Sequence, residues 1–222
     1  MTGVLRDPSF TRLTVVVIDF EGLTPTGRPA EPTEVAALAL RPERGRLVEV
    51  GRFESLIRPP ADVPVTARDV AQTGITAAML AGADPAAAIM AHLDAHLTAP
   101  PYRLVAHHAP TEAGMIARQA AHCPRLAATP LLDTIRLARA LLPGLGSYRL
   151  DHLLAHYGIA RPADRHRAMP DVTVTAQLLE RLLTDGCAAG RWRILLDLDA
   201  AAGLPPKHPA PRGTEPQQHA LF

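Results

Sequence analysis

The sequence predicts an α/β or α+β layered fold in which helices cover a mixed sheet. Three β-rich segments come first, and short strands then alternate with helical segments, which is the pattern of a layered fold. The 222 residues, 47% of them hydrophobic, are enough for one sizeable core. We therefore expect one domain over residues 1–202. Residues 203–222 are rich in proline and lack periodicity, so we expect a disordered tail there.

The first part of the predicted sheet is a meander of three antiparallel strands. Residues 13–20 form a run of β-branched residues that is typical of a buried strand. Residues 22–32 are rich in glycine, proline and threonine and predict a loop. Two further strands are predicted over 34–40 and 47–57, with Arg44-Gly45 as the hairpin turn between them.

The remainder of the chain predicts helices separated by short strands. Residues 59–83 predict a turn-rich connection with short helices, and Asp84-Pro85 has the pattern of a helix start. Gly158 suits the end of a helix that has one apolar face. Short strands are predicted over 102–106 and 131–133, and helices over 86–97, 110–122, 134–142, 148–157, 170–183 and 191–201.

Net charge and cysteine content limit the possible classes of function. The net charge is +1, whereas a protein that binds nucleic acid by electrostatics alone is usually more basic. An acidic metal site would offset local positive charge, so this balance does not exclude nucleic acid. Cys123 and Cys187 predict neither a disulfide framework nor a CxxC site, which favours a reducing cytoplasm. No signal peptide is evident, and no apolar run reaches the ~18 residues of a membrane span.

Two acids at the end of the first predicted strand suggest metal chemistry. Asp19 and Glu21 flank Phe20, and the alternation of side chains along a strand puts both carboxylates on one face. Two acids on one face repel each other unless a cation lies between them, and Mg²⁺ and Mn²⁺ prefer oxygen ligands. Taken alone, an Asp-x-Glu sequence is more often a solvated strand end.

Two predicted helix starts supply further acids. Pro110 suits the first helical position, which puts Glu112 in the first turn. Pro170 places Asp171 in the same way, and His166 lies in the preceding loop, from which its imidazole can fold back towards the acid. A helix N-terminus favours carboxylates for its own sake, so neither start indicates a functional site by itself.

Together these segments resemble the DEDDh family of 3′→5′ exonucleases, which includes the proofreading exonuclease of bacterial replicases, ribonuclease T and oligoribonuclease. The three motifs occur in the family's order: Asp19-x-Glu21, His107-His108-Ala109 with Glu112, and His166-x-Ala168 with Asp171. Segments at 73–76, 132–134 and 148–153 are similar to the family's linking elements, so the resemblance covers residues 13–185. It implies a ribonuclease-H-like fold.

Three positions depart from the family's pattern. The second motif usually reads His-Asn-Ala-x-x-Asp, whereas this chain has His108 in place of the asparagine and Glu112 in place of the aspartate. The first motif usually continues with threonine, whereas Gly22 follows Glu21 here. Because Glu112 keeps the charge and adds one methylene, we interpret the chain as a DEEDh variant.

The resemblance implies a site for two divalent metal ions, Mg²⁺ or Mn²⁺. Asp19, Glu21 and Asp171 would hold the first ion. Asp19 would bridge to the second ion, and Glu112 would support the pair. His166 would act as general base on the attacking water, a role that suits the unperturbed histidine pKa of about 6.5.

The resemblance also implies contacts to the terminal nucleotide. The backbone at Gly22 and Leu23 would approach it closely, since Gly22 has no Cβ. His107 and His108 are the other expected substrate-binding residues. Three arginines near the third motif suit phosphate contacts and a solvated loop equally well: Arg161, Arg165 and Arg167.

The end of the chain suggests a protein partner. Its last residues, Gln218 to Phe222, resemble the Gln-Leu-x-Leu-Phe motif by which bacterial polymerases and repair proteins bind the sliding clamp. Gln218, Leu221 and Phe222 would make the contacts, and burying the two apolar side chains would stabilise the complex. Such binding favours DNA over RNA as substrate, because the clamp encircles DNA. An ordinary disordered terminus matches the sequence equally well.

We therefore expect a 3′→5′ exonuclease that acts on nucleic-acid 3′ ends, with DNA favoured. Two alternatives stay open. The first is an exoribonuclease, because nothing in the core motifs separates DNA from RNA. The second is a non-catalytic module that binds nucleic acid or a partner, which the departures at His108 and Glu112 keep under consideration.

Overall fold

A six-stranded mixed sheet forms the centre of the structure, a computed structural model that describes residues 3–164 and 166–208. The strand order is β3-β2-β1-β4-β5-β6. β1 pairs antiparallel with β2 and parallel with β4, and β4 pairs parallel with β5. The strands are β1 Thr14–Leu23, β2 Glu31–Glu43, β3 Arg46–Leu56, β4 Tyr102–Ala106, β5 Leu131–Asp133 and β6 Gly203–Leu204.

Helices cover the two faces of the sheet. They are α1 Pro8–Thr11, α2 Ala67–Thr73, α3 Ala77–Ala81, α4 Ala86–Ala95, α5 Ala109–Arg118, α6 Pro124–Ala127, α7 Thr134–Leu141, α8 Leu150–Tyr157, α9 Ala168–Ala188 and α10 Leu195–Ala202, preceded by a short 3-10 helix, Val4–Arg6. Along β1, Val15 and Val17 pack into the core with α7 to α10. Val16 and Ile18 pack into a second core with α4 to α6. Both sides of β1 are therefore buried, as its β-branched run predicted.

The predicted meander is confirmed. The turn between β2 and β3 consists of Arg44 and Gly45, with φ values of 51° and 84°. Positive φ at both central residues matches the right-handed twist of the two strands. The strands over 102–106 and 131–133 are also confirmed, and Gly158 ends α8 with φ 63°.

Several predicted boundaries were wrong by a few residues. Pro85 is the N-cap of α4 rather than its first helical residue. Pro110 and Pro170 each follow the true helix start, at Ala109 and Ala168. The N–H groups of the first helical turn have no partner within the helix, so proline, which lacks an N–H, fits at any position of that turn. A proline there therefore does not fix the residue at which the helix begins.

The predicted domain boundary at residue 202 divides a structured segment. Gly203 and Leu204, which the sequence assigned to the tail, form β6 and pair with Leu132 and Leu131 of β5. Residues 209–222 lie outside the described part of the chain. Among the described helices, none is long and apolar enough to cross a membrane. Cys123 and Cys187 are free thiols.

Candidate active site

The sheet brings the expected site residues to one edge. Because β1, β4 and β5 are parallel, their carboxyl ends lie side by side, where ligands of α/β sheets commonly bind. Asp19 and Glu21 lie near the end of β1, His107 follows β4, and Asp133 ends β5. Asp133 was not expected as a site residue. Its buried carboxylate accepts a hydrogen bond of 2.8 Å from the Ile135 N–H and caps α7.

Three of the expected catalytic residues converge. The ligand atoms of Glu21, His166 and Asp171 all lie within 4.8 Å of one another. Asp19 lines the same groove as His166 and Asp171. These residues come from β1 on one side and from the start of α9 on the other, so only the tertiary structure brings them together.

Glu112 lies on α5 in the same acidic cluster. Its side chain is 3% exposed, and its Oε2 atom has no hydrogen-bond partner among the described residues. Burial raises the pKa of Glu112 well above its ordinary value, and the nearby negative charge of Asp19 raises this pKa further. Crowded carboxylates with a spare oxygen match the ligand preference of a hard divalent ion, so these residues fit Mg²⁺ or Mn²⁺.

His107 and His108 have different environments. The Nδ1 atom of His107 lies 2.9 Å from Thr134 Oγ1, which ties this half-buried ring to the start of α7. His108 is exposed, and its Nδ1 atom lies 2.8 Å from Thr111 Oγ1. The φ of His108 is 71°, a left-handed conformation in which asparagine and histidine are both enriched. The histidine in place of the family's asparagine is therefore compatible with this backbone.

The structure gives Gly22 a role that the sequence did not suggest. A Cβ atom at this position would lie 2.8 Å from the Glu31 carbonyl oxygen of β2. The β1–β2 pairing shifts register between Glu21 and Gly22, which brings the two backbones close together. The Leu23 side chain is buried, so only backbone atoms at this position suit the expected contact with a nucleotide.

A groove of about 710 Å³ extends from the acidic cluster. It is also lined by His107, His108, α7 and the segment 146–151. The Arg139 guanidinium lies 5.4 Å from the centre of the Tyr148 ring, and both residues line the groove. Arg149, the residue before α8, also lines the groove. Sequence reasoning assigned no binding role to Arg139 or Arg149, because an isolated arginine has no local signature of such a role.

The three arginines proposed for phosphate contacts differ from the expectation. Arg161 forms an exposed ion pair with Asp151 at 3.5 Å. Arg167 is neither in a solvated loop nor directed at a phosphate site, since its guanidinium binds the buried carboxylate of Glu34. The hydrogen bond to Glu34 raises the pKa of Arg167. Arg165 lies outside the described residues.

Comparisons with known proteins identify relatives of this chain. The exonuclease family model of the RNase T type matches residues 16–179. Subunit epsilon of DNA polymerase III from Aquifex aeolicus is 30% identical over 182 residues, which cover 78% of this chain and 81% of that subunit. A PolC-type DNA polymerase III from Oceanobacillus iheyensis is 34% identical over 172 residues, which cover 77% of this chain and 11% of the polymerase. The chain thus spans only a small part of the PolC-type protein.

Solved structures share the fold. The nuclease domain of 3′hExo, a DEDDh family member bound to rAMP, superposes with a TM-score of 0.68 at 20% identity, covering 82% of this chain and 96% of that chain. Exonuclease X in complex with 5′ overhanging duplex DNA gives a TM-score of 0.61 at 24% identity, covering 85% and 99%. The predicted ribonuclease-H-like α/β fold is confirmed.

Proposed function

This chain belongs to the RNase T exonuclease family and is a DEDDh-type 3′→5′ exonuclease, and from that premise we propose that it removes nucleotides from DNA 3′ ends with two divalent metal ions. The observation that carries the proposal is the convergence of Glu21, His166 and Asp171 within 4.8 Å, from segments far apart in the chain. Carboxylates packed this closely repel one another unless a cation is bound.

The acidic residues would hold Mg²⁺ or Mn²⁺. Asp19, Glu21 and Asp171 would ligate one ion. Asp19 would also face the second ion, and the spare Oε2 of the buried Glu112 supports its place in the same pair. When bound, two divalent ions stabilise both the attacking and the leaving oxygen of the phosphodiester.

Residues of the chain supply the proton transfer and the substrate contacts. His166 accepts the proton of the attacking water through its imidazole, which lies beside Glu21 and Asp171. The backbone at Gly22 and Leu23, with His107 and His108, would bind the terminal nucleotide. Both histidines line the groove next to Asp19.

The relatives favour DNA as the substrate. The two curated relatives described above are named as DNA polymerase III proteins. An exoribonuclease is the second candidate, because one structure of the same fold shows recognition of a histone mRNA stem-loop by a 3′-exonuclease. A non-catalytic binding module is disfavoured, since all five expected catalytic side chains are present.

The experiment that tests the proposal is a matched digestion. The purified chain would be incubated with 3′-labelled and 5′-labelled DNA and RNA, single- and double-stranded, with Mg²⁺, with Mn²⁺ and with a chelator. We expect metal-dependent shortening from the 3′ end that is faster on DNA than on RNA. Faster cleavage of RNA would select the exoribonuclease, and no cleavage under any condition would select the binding module.

Variants connect any cleavage to the site. Asp19→Ala and Asp171→Ala should abolish it, because each removes an expected metal ligand. Glu43→Ala, at the exposed far end of β2, is the matched control and should cleave like the wild type. Normal cleavage by either site variant would overturn the assignment of these residues.

We also propose that the chain's end binds a sliding clamp. Gln218, Leu221 and Phe222 lie outside the described residues, so the support is the sequence motif and the polymerase relatives. Such binding would raise the local concentration of the exonuclease at primer ends.

A further inference from the structure

An ion pair beside the acidic cluster joins β2 to the start of α9. The Glu34 side chain is 1% exposed, and both of its oxygens accept hydrogen bonds from Arg167 Nε, at 3.0 and 3.1 Å. Arg167 Nη2 donates a further bond of 2.5 Å to Glu34 Oε1. This forked geometry fixes the guanidinium plane as well as the distance. We call this pair the Glu34–Arg167 ion pair.

The Glu34–Arg167 ion pair also completes the N-terminus of α9. Arg167 is the N-cap residue, and its side chain makes no capping hydrogen bond. Instead, Glu34 Oε2 accepts a bond of 2.8 Å from the Ala168 N–H, the first of the helix. A carboxylate at this end of a helix is stabilised by the helix dipole and by the otherwise unpaired N–H groups. Glu34 therefore caps α9 from a different element.

The Glu34–Arg167 ion pair connects the two halves of the candidate site. Glu34 lies directly opposite Glu21 in the β1–β2 register, and opposed residues of antiparallel strands share a face. On the other side, Arg167 directly follows His166, and Asp171 lies in the first turn of α9. The pair of side chains thus holds β2, at the position paired with Glu21 of β1, against the segment that carries His166 and Asp171.

The backbone at His166 has a left-handed conformation. Its φ is 66°, close to that of His108, and histidine is among the residues enriched in this conformation. Arg167 and Ala168, the next two residues, are both anchored to Glu34.

The pair also controls the charge beside the site. Opposed residues of an antiparallel pair are close neighbours, so an unpaired Glu34 would add a further negative charge next to Glu21. The bidentate bond to Arg167 compensates that charge.

We propose that Glu34 and Arg167 are positioning residues for the metal site, which place His166 and Asp171 relative to Glu21. The inference rests on the proposed function for its link to turnover, but its geometry can be tested without any cleavage. Partners that orient metal ligands commonly change metal affinity or activity by about 10- to 100-fold when they are removed.

The decisive variant is Arg167→Met, which keeps most of the apolar stem and removes the fork. Its matched control is Arg103→Met. Arg103 forms a comparable ion pair with Asp199 at 3.0 Å. The Arg103 side chain is 12% exposed, and the Arg167 side chain is 29% exposed. Arg103 pairs with Val15 in β1, far along the strand from Glu21, so this variant tests the general effect of losing a half-buried ion pair.

Three quantities would be measured on the full chain: Mn²⁺ affinity by calorimetry, amide hydrogen exchange over 166–171, and turnover at saturating DNA. In Arg167→Met we expect Mn²⁺ affinity and turnover to fall by about tenfold or more. Exchange over 166–171 should become faster, whereas Arg103→Met should resemble the wild type in all three measurements. Arg167→Lys should recover part of the loss, because it keeps the charge without the fork.

Two outcomes would overturn the inference. One is a folded Arg167→Met protein whose exchange over 166–171 and Mn²⁺ affinity match the wild type. The other is an equal effect of Arg103→Met. If Arg167→Met does not fold, Glu34→Gln replaces it, with smaller changes expected in the same direction. If the wild type does not cleave, the proposed function fails, while hydrogen exchange still decides the positioning role.

Discussion

At the scale of single residues, Glu112 shows how burial and charge act together. A carboxylate that is 3% exposed and faces Asp19 is costly to ionise without a cation. The extra methylene relative to aspartate lengthens the side chain from the same backbone position. The substitution therefore keeps an acid in the cluster, in agreement with the interpretation of a DEEDh variant.

The raised pKa of Glu112 predicts how stability depends on pH in metal-free protein. Below the ordinary value of 4.5, Glu112 is protonated in both the folded and the unfolded state. As the pH rises above that value, the unfolded chain ionises first, so the free energy of unfolding falls until the raised pKa is passed. Glu112→Gln should remove this part of the loss.

The measurement is urea unfolding with a chelator at about pH 5 and about pH 8. We expect the wild type to lose more stability than Glu112→Gln over this interval. Mn²⁺ at about pH 8 should stabilise the wild type more than the variant. Equal losses in the two proteins would show that Glu112 ionises normally in the folded state.

His166 should affect turnover more than metal binding. As a general base, its removal in His166→Ala should lower turnover by about 10²- to 10⁴-fold, with Mn²⁺ affinity close to that of the wild type. Steady-state kinetics with Mn²⁺ calorimetry separates the two effects. Because His166 lies within 4.8 Å of Glu21 and Asp171, a large loss of Mn²⁺ affinity would identify it as a ligand instead.

At the scale of elements, the bulge between β1 and β2 adjusts the end of the strand that carries the acids. Gly22 permits it because the Glu31 carbonyl oxygen lies where a Cβ atom would be, at 2.8 Å. The obstacle is backbone, which cannot rotate away as a flexible side chain can. Any larger residue must therefore displace β1 or β2 next to Glu21.

Gly22→Ala should accordingly lower the free energy of unfolding by about 1–3 kcal/mol, the usual cost of overpacking. It should also lower exonuclease turnover, because Glu21 would move with the strand. Gly51→Ala is the control, since a Cβ atom there would meet only Ala39 Cβ at 4.0 Å. Chemical denaturation and a cleavage assay test both effects, and a Gly22→Ala protein as stable and active as Gly51→Ala would refute the explanation.

At the scale of the whole molecule, the candidate site and the proposed clamp-binding segment lie in different parts of the chain. The site lies at the carboxyl ends of the parallel strands, and the segment is the last residues of the sequence. Deletion of residues 217–222 should leave exonuclease activity on short DNA unchanged, because those residues lie beyond the last described element. The same deletion should abolish binding to a purified bacterial sliding clamp. Calorimetry with full-length and truncated protein measures the difference, and equal binding by both would remove the clamp proposal.

The sequence by itself determined the class of fold and supplied the candidate site residues. β-branched runs predicted β1, and the Arg44-Gly45 dipeptide predicted a hairpin turn, since residue type over a few neighbouring positions carries these signals. The candidate site residues Asp19, Glu21, Glu112, His166 and Asp171 came from the family resemblance that three ordered motifs carry.

Only the tertiary structure decided how those residues are held. Glu34 and Arg167 are 133 positions apart, so no local pattern links them, and Arg167 was expected to contact phosphate or solvent. The close approach of Gly22 to Glu31 and the pairing of Gly203–Leu204 with β5 are likewise contacts between separate segments. Such contacts form only when the chain folds, because they are stabilised by burial and by partners that folding brings together.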